Sequence, residues 1–115
     1  MQYEFSKAEK KTVRKVIETG LQRDYQSSIL DIDNIIRQWK SKKLSNMEAY
    51  HEIFRKVKAN DKYIARMYDD LRGSKYMIIL QGLLANKTIS EADLSGFSEM
   101  TRNKILEIKR ILGND

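Results

Sequence analysis

The chain lacks cysteine and proline, and glycine occurs only 5 times in 115 residues. Without cysteine there is no disulfide, no thiolate nucleophile and no cysteine-ligated zinc. Without proline, no helix interior loses a backbone donor. Five scattered glycines cannot form the glycine-rich loop that cradles a phosphate group. These absences favour a helical chain and exclude several common kinds of cofactor site.

Long hydrophobic runs are also missing. The longest, residues 76–85, is interrupted by Gln81 and Gly82 and is about half as long as a membrane span. Charge begins at Glu4, and no apolar segment of the kind found in signal peptides follows it. We therefore expect no membrane-spanning helix and a cytoplasmic location, with which the absence of cysteine agrees.

Histidine occurs once, which limits catalysis and metal binding. His51 and Glu52 resemble the start of the HExxH zinc motif, but Arg55 stands where the second ligand belongs and would repel a metal ion. Carboxylate pairs such as Asp69 and Asp70 do not share a helix face. We predict that the protein is not an enzyme and has no metal or cofactor.

Positive charge is in excess, with 22 lysines and arginines against 16 acidic residues, and this attracts polyanions. The candidate anion-binding or nucleic-acid-binding face consists of two clusters: Lys7, Lys10, Lys11, Arg14, Lys15, Arg37, Lys40, Lys42 and Lys43. Cations in the first turn of a helix oppose its dipole, which hints at an anionic partner. Solubility explains the same lysines, and the second cluster also suits the negative end of a helix, so both interpretations stay open.

Three serines, each followed three positions later by an acidic residue, predict helix starts. They are Ser6 with Glu9, Ser45 with Glu48 and Ser90 with Asp93. A shift of 45 residues superposes the last two corners, with Lys42 over Lys87 and Leu44 over Ile89. An ancient duplication and convergence on good corner residues both explain that similarity.

Apolar spacing of three and four residues predicts an all-α fold. We expect a single compact domain over residues 1–115 with five to six helices, two similar helix-turn-helix corners and a central apolar helix at about 75–86. The first helices should cover about 7–23 and 24–41, or run on through Gly20, and the next two about 46–59 and 60–72. After the second corner, Gly96 should break a short helix before Ser98 starts the last one, which Gly113 ends.

Two apolar stripes are predicted to face the core. They consist of Tyr25, Ile29, Ile32, Ile36 and Trp39 on the second helix, and of Met47, Tyr50, Ile53, Phe54 and Val57 on the third. Trp39 should point inward, with its indole N–H bonded at the corner. The alternative is an exposed platform on which a nucleobase stacks.

Two functional hypotheses follow. The first is a small non-enzymatic helical interaction or adaptor protein that binds another protein or itself. The alternative is a nucleic-acid-binding protein that uses its basic helical faces without sequence specificity. A helix-turn-helix reader of the major groove is disfavoured, because Glu48 and Glu52 in the candidate recognition helix would repel phosphate.

Overall fold

The computed structural model describes residues 3–113, and within that range the chain is helical without strands. The first two and last two residues of the predicted domain lie outside this range. Four α-helices occur in order, α1 (Lys7–Lys40), α2 (Asn46–Tyr68), α3 (Tyr76–Ala85) and α4 (Glu99–Ile111). Two short 3-10 segments, Gly73–Lys75 and Glu91–Leu94, precede α3 and α4. The all-α prediction is therefore confirmed.

The predicted number of five to six helices is not matched, because α1 runs on through Gly20, the alternative left open above, and the break predicted at Asn60 and Asp61 is absent. Gly20 lies inside α1, where a Cβ atom would meet Leu83 Cδ1 at 3.1 Å and the Tyr68 hydroxyl at 3.2 Å. This glycine therefore marks a close approach between helices rather than a helix end. Asn60 and Asp61 likewise lie inside α2 instead of capping a new helix.

The core surrounds α3, as expected for a helix that is apolar on nearly every side. Met77, Leu80 and Leu83 are almost completely buried, and Val13 of α1 and Ile105 of α4 pack into the same cluster. The side-chain amide of Gln81 donates to the backbone carbonyl of Ile105 at 3.0 Å, which joins α3 to α4. The prediction of a central apolar helix is confirmed, with bounds close to those expected.

The corners before Ser45 and Ser90 share one backbone geometry. Lys42 and Lys87 have φ angles of 65° and 60°, in the left-handed region where a helix is often terminated. The N–H of Lys43 donates to the Gln38 carbonyl at 2.9 Å. At the second corner the N–H of Thr88 donates to the Leu83 carbonyl, also at 2.9 Å. After the second corner, however, the chain enters a 3-10 segment rather than an α-helix.

The molecule is elongated, with principal extents of 54 × 24 × 23 Å. Its radius of gyration is 17.5 Å, whereas a compact chain of this length has about 13 Å. The difference arises because α1 and α2 continue beyond the core as an antiparallel hairpin. We call residues 24–58, which comprise this projection, the arm.

Candidate functional site

The arm has almost no hydrophobic core of its own. Within it only Ile35 and Ala49 are buried. The seam between its helices also contains polar contacts, such as Asp31 to the Lys56 ammonium at 3.9 Å. At its base, the buried Tyr68 hydroxyl donates to Asp24 at 2.6 Å, and burial together with this bond raises the pKa of Tyr68. The apolar side chains of the arm must therefore lie elsewhere.

The predicted apolar stripe of α1 lies beside the seam and not in the core, so that prediction is wrong. Each stripe residue comes one position after a residue of the seam. Its side chain is therefore rotated about 100° around the helix axis, away from α2. Ile29 is 66% exposed and Trp39 is 43% exposed. The stripe is uncovered because the core elements pack against the other half of α1, on Val13 and Val16.

The stripe on α2 has the same relation to the seam and is also largely exposed, contrary to expectation. Met47, Tyr50, Phe54 and Val57 follow seam residues by one position, and Tyr50 is 70% exposed. Ile53 is half-buried and belongs to the seam itself. Because α1 and α2 are antiparallel, the same rotation out of a shared seam brings both stripes to one side of the hairpin.

We call this surface the apolar face. It consists of Tyr25, Ile29, Ile32, Ile36, Trp39, Met47, Tyr50, Phe54 and Val57. At the exposures observed, these side chains present on the order of 900 Å² to solvent, given the size of such residues. Monomeric proteins rarely expose contiguous apolar patches larger than about 300–600 Å². The summed exposure of these nine residues is larger than that range.

The structure places the nine predicted basic residues at two distant locations. Lys11 and Lys40 are 29 positions apart on the single helix α1, which corresponds to about 44 Å at 1.5 Å per residue. In the first cluster Arg14 contacts the Tyr76 hydroxyl at 3.5 Å, and Lys10 runs along Gly73. Lys7, Lys11 and Lys15 are exposed. The two clusters do not form one continuous surface.

The second cluster surrounds the tip of the arm. Lys40, Lys42 and Lys43 are exposed around a shallow hollow that Trp39 and Asn46 also line. The indole N–H of Trp39 donates to the Asn46 side chain at 2.7 Å, as predicted, although the ring itself is not buried. Arg37 instead pairs with Asp33 at 2.9 Å. The tip thus combines three lysines with one accessible aromatic ring.

The base of the arm is fixed by an ion pair to the second corner. Both oxygens of Asp93 accept from Arg23, at 2.8 and 2.9 Å, and Arg23 also donates to the Thr88 carbonyl at 3.1 Å. The hydrogen bonds from Arg23, followed by the one from the Ser90 N–H, lower the pKa of Asp93 to about 2. This bridge joins α1 to the loop after α3 and orients the projecting hairpin.

Between residues 3 and 113, no three acidic or histidine side chains come together as metal ligands, and no helix is both long and apolar enough to cross a bilayer. His51 is exposed, and its ring lies edge-on to that of Tyr50. No protein-family model matches the chain, and no curated protein or solved structure is significantly similar to it.

Proposed function

We propose that this protein is a non-enzymatic helical interaction protein that binds another polypeptide, a partner or a second copy, through the apolar face of its arm. The supporting observation is the size of that face, on the order of 900 Å². A stable protein interface buries about 800 Å² on each side. The arm offers this area without any rearrangement of the core.

The composition of the apolar face also suits protein binding. Four of its nine residues are aromatic, namely Tyr25, Trp39, Tyr50 and Phe54. Aromatic side chains dominate the binding free energy of protein interfaces, because they bury large areas at a small cost in conformational entropy. No charged residue occupies a stripe position between Tyr25 and Trp39 or between Met47 and Val57. Desolvation of the face therefore carries no penalty for burying a charge.

The shape of the face favours a helical partner. Two parallel rows of side chains, one on each helix, leave a shallow groove between them, and neighbouring helices typically lie about 8–10 Å apart. An amphipathic helix can place its own apolar ridge in such a groove. The polar backs of α1 and α2 would remain in water.

A charged variant of the face tests this function. In Ile29→Glu with Phe54→Glu, two carboxylates lie in the middle of the face, and we expect at least a tenfold loss of binding to polypeptides retained from a native lysate. Retention by the unmodified protein should survive nuclease treatment and moderate salt, because burial of apolar area is insensitive to both.

The matched control is Asn34→Glu with Ala59→Glu, which adds the same charge on the side of α1 and α2 away from the apolar face, where both residues are exposed. It should retain what the unmodified protein retains. The same retention by the face variant and the unmodified protein would contradict the proposed function.

The tip supports a second candidate function, the binding of single-stranded nucleic acid. An accessible indole among lysines is the combination that stacks a base and neutralises its phosphates, and Trp39 with Lys40, Lys42 and Lys43 provides it. The first basic cluster, about 44 Å away, lacks such a ring among its members.

Charge reversal in each basic cluster tests which of the two binds nucleic acid. We expect Lys40→Glu with Lys43→Glu to weaken binding of a labelled oligodeoxythymidine at least tenfold in fluorescence anisotropy, and Lys7→Glu with Lys11→Glu to weaken it less. The affinity should fall steeply as salt increases, since counterions are released. No binding at low salt, or equal losses for the two variants, would exclude a nucleic-acid site at the tip.

A further inference from the structure

We infer that the apolar face is covered by the same face of a second copy of this chain, with the two arms antiparallel, so that two hairpins form a four-helix bundle. This inference rests on the proposed function of the face and specifies its partner. The contact would be isologous, with a two-fold axis crossing α1 near its middle stripe residue, Ile32.

The stripe on α1 is self-complementary when its direction is reversed. It has an aromatic residue at each end, Tyr25 and Trp39, with three isoleucines between them. The two aromatic residues lie at equal distances, seven positions, before and after Ile32. In an antiparallel pairing centred on Ile32, Tyr25 of one copy therefore meets Trp39 of the other, and isoleucine meets isoleucine. Aromatic pairs of this kind contribute beyond the area they bury.

Charge at the ends of the face favours the antiparallel arrangement. A parallel pairing would bring Lys40, Lys42 and Lys43 of both copies together at one end, which is repulsive. The antiparallel pairing instead places the lysines of the two tips at opposite ends of the dimer.

The core approaches the face along α1 only at the base of the arm. Val13, Val16 and Gly20 lie between about 120° and 180° around the helix from Tyr25, whereas Ile17 and Leu21, which also pack into the core, lie about 80° and 40° away. Leu83 of α3 approaches α1 at Gly20, on the far side from Tyr25. A second copy can therefore lie along the stripe between Tyr25 and Trp39, while its own core projects from the opposite end.

The area is sufficient for a stable dimer. Each copy would contribute on the order of 900 Å², or about 1,800 Å² in total, within the range of about 1,200–2,000 Å² for stable specific interfaces. Dimerisation would also give the arm the core that its seam lacks, because the half-buried Ile32 and Ile36 would become fully enclosed.

Sedimentation equilibrium of the full chain tests whether the chain dimerises. The expected mass is about 27 kDa, twice the 13.5 kDa of one chain. Ile29→Glu with Phe54→Glu should weaken dimerisation at least tenfold, while Asn34→Glu with Ala59→Glu should not change it. Circular dichroism of each variant establishes that it is folded. Emission from Trp39, the only tryptophan, should shift to the red as the dimer dissociates on dilution.

Single cysteines test the orientation, because the natural chain has none. Ile32→Cys should form a disulfide-linked dimer under mild oxidation, since the two residues would meet at the two-fold axis. Ser41→Cys at the tip should not, because its two copies would lie about 27 Å apart. Cross-linking through Ser41→Cys, or a dimer in which Ile32→Cys fails to cross-link, would overturn the antiparallel arrangement.

The outcomes distinguish this inference from the proposed function on which it rests. A folded protein that remains at 13.5 kDa up to hundreds of micromolar overturns the dimer. If such a monomer still retains another polypeptide and loses it in Ile29→Glu with Phe54→Glu, the proposed function stands and only the second copy is wrong. A monomer that retains nothing contradicts both.

Discussion

Replacement of Leu80 by alanine is expected to lower the free energy of unfolding by about 3 kcal/mol, the usual cost of removing a fully buried leucine side chain. Leu80 has no exposed surface and lies on α3, between α1 and α4. The cost combines the lost transfer free energy with the cavity that remains. Urea denaturation followed by circular dichroism at the helix band measures this change through the shift of the midpoint.

The matched control is Ile78→Ala on the same helix. Ile78 is 43% exposed, so the same class of truncation should cost less than about 1 kcal/mol. Equal losses at the two positions would contradict the central placement of α3. If Leu80→Ala lowers the free energy of unfolding but does not change its slope with urea concentration, the core unfolds as one unit.

The location of this core could be predicted from sequence because α3 carries an unusual pattern. Residues 76–85 are apolar on nearly every side, which only an enclosed helix tolerates. The first two helix starts were also predictable, because a capping box is a local device. Glu9 accepts from the Ser6 N–H at 2.7 Å, and Glu48 accepts from the Ser45 N–H at 2.9 Å.

The number of helices could not be predicted, because it depends on contacts distant in sequence. A glycine inside a helix costs about 1 kcal/mol relative to alanine, which makes Gly20 resemble a break. Its close contact with Leu83, 63 positions later, compensates for that cost. Asn60 resembles a helix cap because asparagine is favoured at that position. It nevertheless lies in the interior of α2.

The exposure of the apolar face could not be predicted from periodicity alone. Spacing shows that a helix has an apolar side, and it identifies the members of both stripes except Ile53, which belongs to the seam. It does not show whether another element covers that side. The sequence also contains no signal for the seam, because Asp24, Ser28, Asp31 and Gln38 are polar and only Ile35 among the α1 seam residues is apolar. Heptad spacing indicates a helix contact only where the repeated residues are apolar.

The spatial relation between the two basic clusters could not be predicted from spacing either. Sequence identifies both clusters, and helical spacing places four of the first five residues in one sector. Their relation to each other depends on whether the predicted helices at 7–23 and 24–41 are separate or continuous. Because α1 is continuous, Lys11 and Lys40 are held about 44 Å apart and cannot converge on one small anion. A flexible break at Gly20 would have allowed a compact basic patch.

Gly20 lies at the junction between the core and the arm, and its replacement is expected to have a large effect on stability. Gly20→Leu is expected to lower the free energy of unfolding by about 2 kcal/mol, since overpacking a close helix contact costs about 1–3 kcal/mol. Even a single Cβ atom at Gly20 would lie 3.1 Å from Leu83 Cδ1 and 3.2 Å from the Tyr68 hydroxyl. The side chain beyond it would force α1 away from α3 and disturb the bond from Tyr68 to Asp24. The better helix propensity of leucine recovers less than about 1 kcal/mol.

Two controls isolate crowding from helix propensity in the same urea denaturation experiment. Gln26→Leu places the same side chain at an exposed position of α1 and should change the free energy of unfolding by less than about 0.5 kcal/mol. Gly20→Ala should be close to neutral, because its gain in helix propensity offsets the crowding of one methyl group. If Gly20→Leu proved as stable as Gln26→Leu, α1 would not be held against α3 at this point. The arm would then lack the fixed base that lets it present its apolar face as a rigid surface.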